Sequence, residues 1–328
     1  GLNPHELSSE KQRLHALQLA DPAARQFLSE ASYQKVERRA AELKTRVTPE
    51  VPVEIQADLR PYQKEGFHFL AYLSTNRFGG ILADDMGAMV AGSLEPQVAQ
   101  ACEAFVRSSS PAQEATVLAP GAAHVDRYAA ACANGMAITW CELDEGFRNA
   151  SCHGGAYTLP ALLAEAEACN AGVEQVLRAV AVAYEVTTRF ALAYPFPSFY
   201  VHPHAAFATL GAAVAVSLVR GHDAQRLQDC VTGAASMTFA GPFDTAVEGS
   251  LVRNAWTSAG AWVGMRAADW AQVGISGGIH TPYDVFATNL RTRCLPEQLS
   301  AGLGERWSVS NGYHKIFACC NYAHAAVE

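Results

Sequence analysis

Between residues 159 and 268 the chain runs through long alanine-rich segments, at 159–169, 172–193, 205–219, 224–239 and 251–268, several of them apolar on nearly every face. A helix tolerates apolar residues all round only when other helices surround it, so these segments predict a buried helical core. Gly221 supplies a stop signal, and Asp223 supplies a cap for the helix that follows. After about residue 274 the pattern shifts to shorter, mixed elements, as if a second domain begins there. The expected fold class is therefore mainly α.

At 328 residues the chain is long enough for roughly two domains. A formal net charge of −8 and a pI near 5.8 argue against a surface that attracts nucleic acid or anionic lipid over its whole area. An anionic partner would need a local cluster of cations. There is no N-terminal charged and apolar export signal. The longest apolar runs, such as 212–219, fall short of the roughly 20 residues that span a bilayer. A soluble cytoplasmic protein is the expectation. The nine cysteines are odd in number and scattered, with no C-x-x-C pair, so neither a disulfide framework nor a zinc site is predicted.

Charged residues are denser before residue 86 than after it, which predicts a seam there. Residues 7–46 read as polar helices. Pro49, Pro52 and Pro61 then break the pattern before a helix near 62–74. The strings LRPYQKEGFHFL and FGGILADDMG, over residues 50–87, resemble the opening of a Swi/Snf-type ATPase core, a resemblance that implies adenine contact by Gln63 and a phosphate loop to follow. A phosphate loop needs glycine, a lysine for the phosphates and a hydroxyl for magnesium. Counting from Asp84, Met89, Val90 and Ala91 fill those places, so no ATP hydrolysis is expected. A fragment of a DNA-dependent motor is the second functional reading.

From MGAMVAGSLEP onward a series of strings stands in a fixed order: EATVLAPG, AACANGMAITWCELDEG, SCHGGAYTLPALLAEAEA, AVAYEVTTRFAL, VHPHAAFATLGAAVAVSLVRG, EGSLVRNAWTSAGAWVGMRA and YHKIFACCNYAHAAVE. In this order they resemble the MmgE/PrpD family, which includes 2-methylcitrate dehydratases, cis-aconitate decarboxylases and iminodisuccinate epimerases. The resemblance implies three segments. Residues 1–86 would be a Swi/Snf-like leader without function, 87–273 an all-helical domain, and 274–328 the start of a smaller, incomplete α/β lid domain. It further implies a homodimer, a small polycarboxylate substrate and lyase or isomerase chemistry with no cofactor, which a fused and truncated chain would perform only in part or not at all.

Removing a proton beside a carboxylate creates a dianionic enolate, so such a site needs a base in reach and cations facing the developing charge. Glu142 and Asp144, just after a helix expected to end near Thr139, match the family's acids; either could take the catalytic role, and solvated helix-end acids are the alternative. His153 lies on a loop beside Gly154 and Gly155, a pair that lets backbone N–H groups approach an anion. His202 and His204 flank Pro203 at the entry to an apolar helix, where the helix dipole favours a carboxylate. His202 aligns with the family's catalytic histidine, and without further ligands nearby the pair makes a poor metal site. Arg253 is the only cation in the stretch 250–265 and sits where the family grips a substrate carboxylate, with structural pairing as the alternative. His324 matches a histidine that the family's second domain contributes to the cleft. No metal is expected.

Overall fold

The computed structural model describes residues 29–31, 33–34, 38, 48–50, 81–313, 315 and 318–320. Gln63, His324, the helix expected near 62–74 and most of the expected polar helices at 7–46 lie outside the described residues. The chain divides into two compact units, Gly1–Gly80 and Ile81–Glu328. The second unit is mainly helical, and its described strands form only two-stranded sheets.

Its long helices are α1 (Ile81–Ser93), α2 (Pro96–Ser108), α3 (Arg127–Ile138), α4 (Gly154–Ala168), α5 (Val173–Ala193), α6 (Pro203–Val219) and α7 (Ala224–Ser236). A short α8 (Asp244–Val247) leads into α9 (Val252–Gln272). Helix α6 is the hub, packing against α4, α5, α7 and α9, and all its residues but Leu218 are buried. That is why its sequence has no polar face: alanines and valines on every side let four neighbours approach.

The stop, cap and entry signals at α3, α6 and α7 are in place, while the segment expected from 159 starts at Gly154, the one expected to reach 239 ends at Ser236 and the one expected to end at 268 runs to Gln272. Gly221 takes the left-handed conformation at φ +68°, and the Asp223 carboxylate accepts the Arg226 N–H at 2.8 Å to start α7. Helix α3 ends at Ile138 with Thr139 as its C-cap. Proline opens α6 with His202 as the N-cap residue, so the histidine pair stands at the end of the most buried helix.

Helix α1 runs unbroken through residue 86, where the composition changes. The backbone from Asp84 to Ala91 is thus helical; Met89, in the place of a phosphate-loop glycine, is fully buried, and Val90, in the place of the lysine, is half exposed.

Away from the histidines, Glu165 of α4 is fully buried and held by Arg127 Nη1 and Arg220 Nε, each at 2.8 Å. Arg220 also reaches Asp269 of α9 at 2.7 Å, which ties α3, α4, the end of α6 and α9 together. Burial alone would raise the Glu165 carboxyl, but the two guanidiniums outweigh it and hold it below its usual value.

Two antiparallel strand pairs complete the unit: β1 (Ala115–Thr116) with β2 (His124–Val125), and β3 (Gly146–Phe147) with β4 (Gly312–Tyr313). In the second pair Gly146 faces Tyr313 and Phe147 faces Gly312. Continuing that register sets residue 315 opposite residue 144, so a pairing far apart in sequence delivers Lys315 to the acid loop after α3.

Candidate active site

Three segments meet at the end of α6: the acid loop 142–146, the turn that begins α4, and the His202–His204 N-terminus. His153 Nδ1 lies 2.6 Å from Asp144 Oδ2 and 2.7 Å from the carbonyl oxygen of Glu145. Both partners are acceptors, so Nδ1 carries the proton and Nε2 is left with a free lone pair. An aspartate that fixes a histidine's tautomer and ring direction in this way prepares Nε2 to accept a proton.

The Asp144 side chain is almost wholly buried, and Lys315 Nζ stands 3.2 Å from its Oδ1. Burial alone would raise this carboxyl; Lys315 and His153 outweigh it and hold Asp144 well below the usual carboxylate range. For His153 burial works toward the neutral form, but Asp144 prevails and the imidazole is pushed up. Lys315 is likewise pushed up, against the effect of its own burial, by Asp144 and Glu142.

Glu142 lies between two cations. Its Oε1 is 2.5 Å from Arg253 Nη2 and its Oε2 is 3.1 Å from Lys315 Nζ. Arg253, near the start of α9, also donates to the Thr139 carbonyl at the end of α3, at 2.9 Å. Glu142 has a left-handed backbone, φ +56°, an uncommon conformation for a non-glycine residue that keeps its carboxylate between the two donors. Its side chain is 27% exposed, those of Arg253 and His153 are 11% and 12%, and that of Lys315 is 0%. Glu142 is therefore the member of the cluster that solvent or a ligand reaches most readily.

The glycine pair serves a neighbouring acid. The Gly155 N–H donates to Glu145 Oε1 at 2.6 Å, and Tyr184 donates to Oε2 at 3.1 Å. A Cβ at Gly154 would come within 2.7 Å of the Tyr184 ring, so the tyrosine packs there only because position 154 lacks a side chain. Burial pushes the Glu145 carboxyl up to about 7.

His202 and His204 sit beside this pair, with the His204 ring 4.9 Å from that of His153 and 4.4 Å from that of His202, centroid to centroid. His202 Nδ1 accepts the His204 N–H at 3.2 Å, so its proton is on Nε2, and its ring stacks on Phe243 at 5.3 Å. His204 Nδ1 meets the Tyr157 hydroxyl at 3.0 Å. Burial is the chief cause that lowers both imidazoles, His202 to about 3 and His204 well below its ordinary value. Both are neutral at ordinary pH, so His202 can donate a hydrogen bond from Nε2 but cannot supply an imidazolium.

This has a consequence for acid stability. Because folding lowers the His202 pKa, the unfolded chain gains a proton below about pH 6.5 that the folded chain does not, so stability falls with pH down to about 3. The His202→Gln variant is expected to lose about 3 kcal/mol less than the parent between pH 7 and pH 4, measured by urea unfolding at the two pH values. An equal acid loss in the two proteins would show that His202 is not held neutral.

Asp144, His153 and His204 offer three donor atoms within 4.8 Å of one another, a spacing that would suit a metal ion. One Asp144 oxygen already faces the Lys315 ammonium and the other the His153 Nδ1–H. A metal cation bound there would lie close to that ammonium, and the donor set suits proton transfer better.

The structure thus brings Glu142, Asp144, His153, His202, His204 and Arg253 together with Lys315, Glu145 and Tyr157. Gly154 and Gly155 shape the turn beneath them. Lys315, in the string YHKIFACC, and Glu145 are site residues that no local sequence signal singles out.

Comparison with known proteins agrees with the main resemblance. The model of the MmgE/PrpD N-terminal domain matches residues 73–287, about two-thirds of the chain. The match begins before α1 and covers the acid loop, all three histidines and Arg253. Among curated proteins, the TATA-binding protein-associated factor mot1 of Aspergillus fumigatus and that of Schizosaccharomyces pombe are each 57% identical over 37 residues, 11% of this chain. The chain spans only about 2% of the length of these relatives. The Swi/Snf-like resemblance of the leader rests on that short match alone. With the family model covering well over half its length, the chain belongs to the MmgE/PrpD family.

Proposed function

We propose that the protein is a lyase or isomerase acting without a cofactor on a small di- or tricarboxylate, by acid and base groups of the chain itself. One observation carries this reading: two cations from distant parts of the chain, Arg253 and Lys315, converge on the half-buried carboxylate of Glu142 beside a histidine whose Nδ1 is turned to Asp144. In this reading Glu142 holds the place of a substrate carboxylate, which would exchange with it between the guanidinium and the ammonium. A second substrate carboxylate, or the enolate formed from it, would meet the Nε2 proton of neutral His202 and the positive end of α6.

His153, oriented by Asp144, removes the proton beside the carboxylate. Family membership supports dehydratase or lyase chemistry in general, and 2-methylcitrate, cis-aconitate and iminodisuccinate are the substrates to try. Residues 274–328 contribute Lys315 to this site as the second domain's share, with His324 as a further proposed contact. A cytoplasmic homodimer is part of the same proposal; among the described residues no helix is long and apolar enough to cross a membrane.

The test is turnover of these three acids by the protein and by its Arg253→Ala variant. Activity on at least one, with KM raised about tenfold or more in the variant, is expected from loss of a charged hydrogen-bonding partner. A variant with unchanged KM would remove Arg253 from the substrate site. Turnover of none of the three by folded protein would count against the proposed reaction.

A further inference from the structure

The buried face of α1 follows helical spacing, with Asp85, Ala88, Met89, Gly92 and Ser93 all turned inward. The helix is seated closely: a Cβ at Gly92 would meet the Ala137 carbonyl oxygen of α3 at 2.0 Å. Four of these five residues are small or apolar, as a core face requires. Asp85 is a carboxylic acid with 0% exposure.

No cation faces Asp85 among the described residues. The ionisable groups that act on it are the acids Glu145, Asp144 and Asp84, while Lys315 is engaged with Asp144 and Glu142. Its Oδ1 accepts the backbone N–H of Glu145 at 3.0 Å, and its Oδ2 has no hydrogen-bond partner among the described residues. Burial, reinforced by those acids, raises its pKa well above the usual value and so favours the neutral form.

A buried carboxylic acid costs stability at a position where alanine or leucine would pack, and such exceptions cluster at functional sites. What Asp85 holds is the peptide between Asp144 and Glu145, in a loop whose Glu142 is already in an uncommon conformation. The next peptide, between Glu145 and Gly146, carries the Glu145 oxygen that His153 Nδ1 approaches.

We propose that Asp85 is a positioning residue for the acid–base pair: from the buried face of α1 it fixes the backbone at Glu145, and so holds the Asp144 carboxylate against His153. The inference rests on the reading of Asp144 and His153 as the proton-transfer pair. It also gives the string LADDMG a role that its resemblance to a phosphate-loop leader does not.

The experiment compares Asp85→Asn with Asp85→Ala. The amide keeps a neutral acceptor of the same shape and should leave turnover and its pH profile close to those of the parent. The alanine variant should lower kcat by about 10- to 100-fold with little change in KM, as a displaced catalytic pair does. NMR titration of the His153 ring should place its pKa in Asp85→Ala nearer the ordinary value of about 6.5. A role confined to packing would lower the melting temperature and leave that titration where it is, which would overturn the proposal. So would an Asp85→Asn protein that loses turnover as Asp85→Ala does. Amide exchange in the parent protein tests the contact without any variant: the Glu145 N–H should be strongly protected, and rapid exchange would overturn the inference. The titration and the exchange need no substrate, so failure of the enzymatic reading, seen as absent turnover in the parent, is distinguishable from failure here.

Discussion

The Lys315→Met variant is expected to be destabilised by about 3 to 5 kcal/mol at neutral pH and to have lost the ability to bind a dicarboxylate. Methionine matches the length of the lysine stem but leaves Asp144, almost wholly buried, without the ammonium that stands 3.2 Å from it. It also strips one of the two cations from Glu142. Breaking a buried ion pair from one side is costly because the remaining charge stays desolvated. The sign of the pH dependence follows from Asp144. Its folded pKa is depressed, so the stabilisation is present above the unfolded value near 3.9 and is lost as pH falls through the folded one. The gap between variant and parent should therefore close in strong acid. Urea unfolding at neutral and at low pH measures it, and a gap that widens in acid would show that Lys315 does not stabilise the ionised aspartate.

The second large effect is on catalysis. Replacing His153 by asparagine should lower kcat/KM by about 10² to 10⁴-fold on whichever acid the parent protein turns over, the range usual for loss of a positioned acid or base. Asparagine can still donate to Asp144, so the loop and the anion contacts should persist and KM should change little. In the parent protein the rate should rise with pH through an apparent pKa above 6.5. The Asp144 carboxylate raises the histidine, and Nε2 accepts a proton only once the imidazolium has lost its own. A His153→Asn protein with the parent's rate would exclude His153 as the base, as would a parent rate that falls as the imidazole becomes neutral.

Much of the helical core was legible because its signals are local. The stop at Gly221, the cap at Asp223 and the proline that opens α6 each act within a turn of helix, and each stands where the sequence predicts. The histidines were legible for a related reason: polar groups at the ends of apolar helices have few structural explanations, and the helix ends bring them together. The acid loop was located, but local sequence does not distinguish its members. Asp144 pairs with His153, Glu142 lies between two cations, and Glu145 is buried against Tyr184 and the Gly155 N–H. Those differences arise from contacts across the fold.

Lys315 was missed because its only signal is the pairing of residues 146–147 with 312–313, and two-residue strands leave no periodicity to detect. Asp85 lies in a string that matches the approach to a phosphate loop, which masks its helical role. The competing pattern, an inward helical face running from Asp85 to Ser93, appears once α1 is seen to pass through residue 86. For Arg253 the alternative of structural pairing is what the contacts show, and gripping a substrate carboxylate belongs to the proposed function. It is structurally paired, with Glu142 and the Thr139 carbonyl, and that pairing places it beside Lys315, where a substrate carboxylate would be held.

The account stands on Arg253, Lys315 and His153 forming one anion-binding, proton-accepting site. Its most direct test is an NMR titration of the protein with tricarballylate, an inert tricarboxylate, following the side-chain signals of those three residues together. All three should shift along a single binding curve, and acetate at the same carboxylate concentration should not reproduce it. Signals that stay unmoved, or that move with unrelated affinities, would contradict a shared polycarboxylate site.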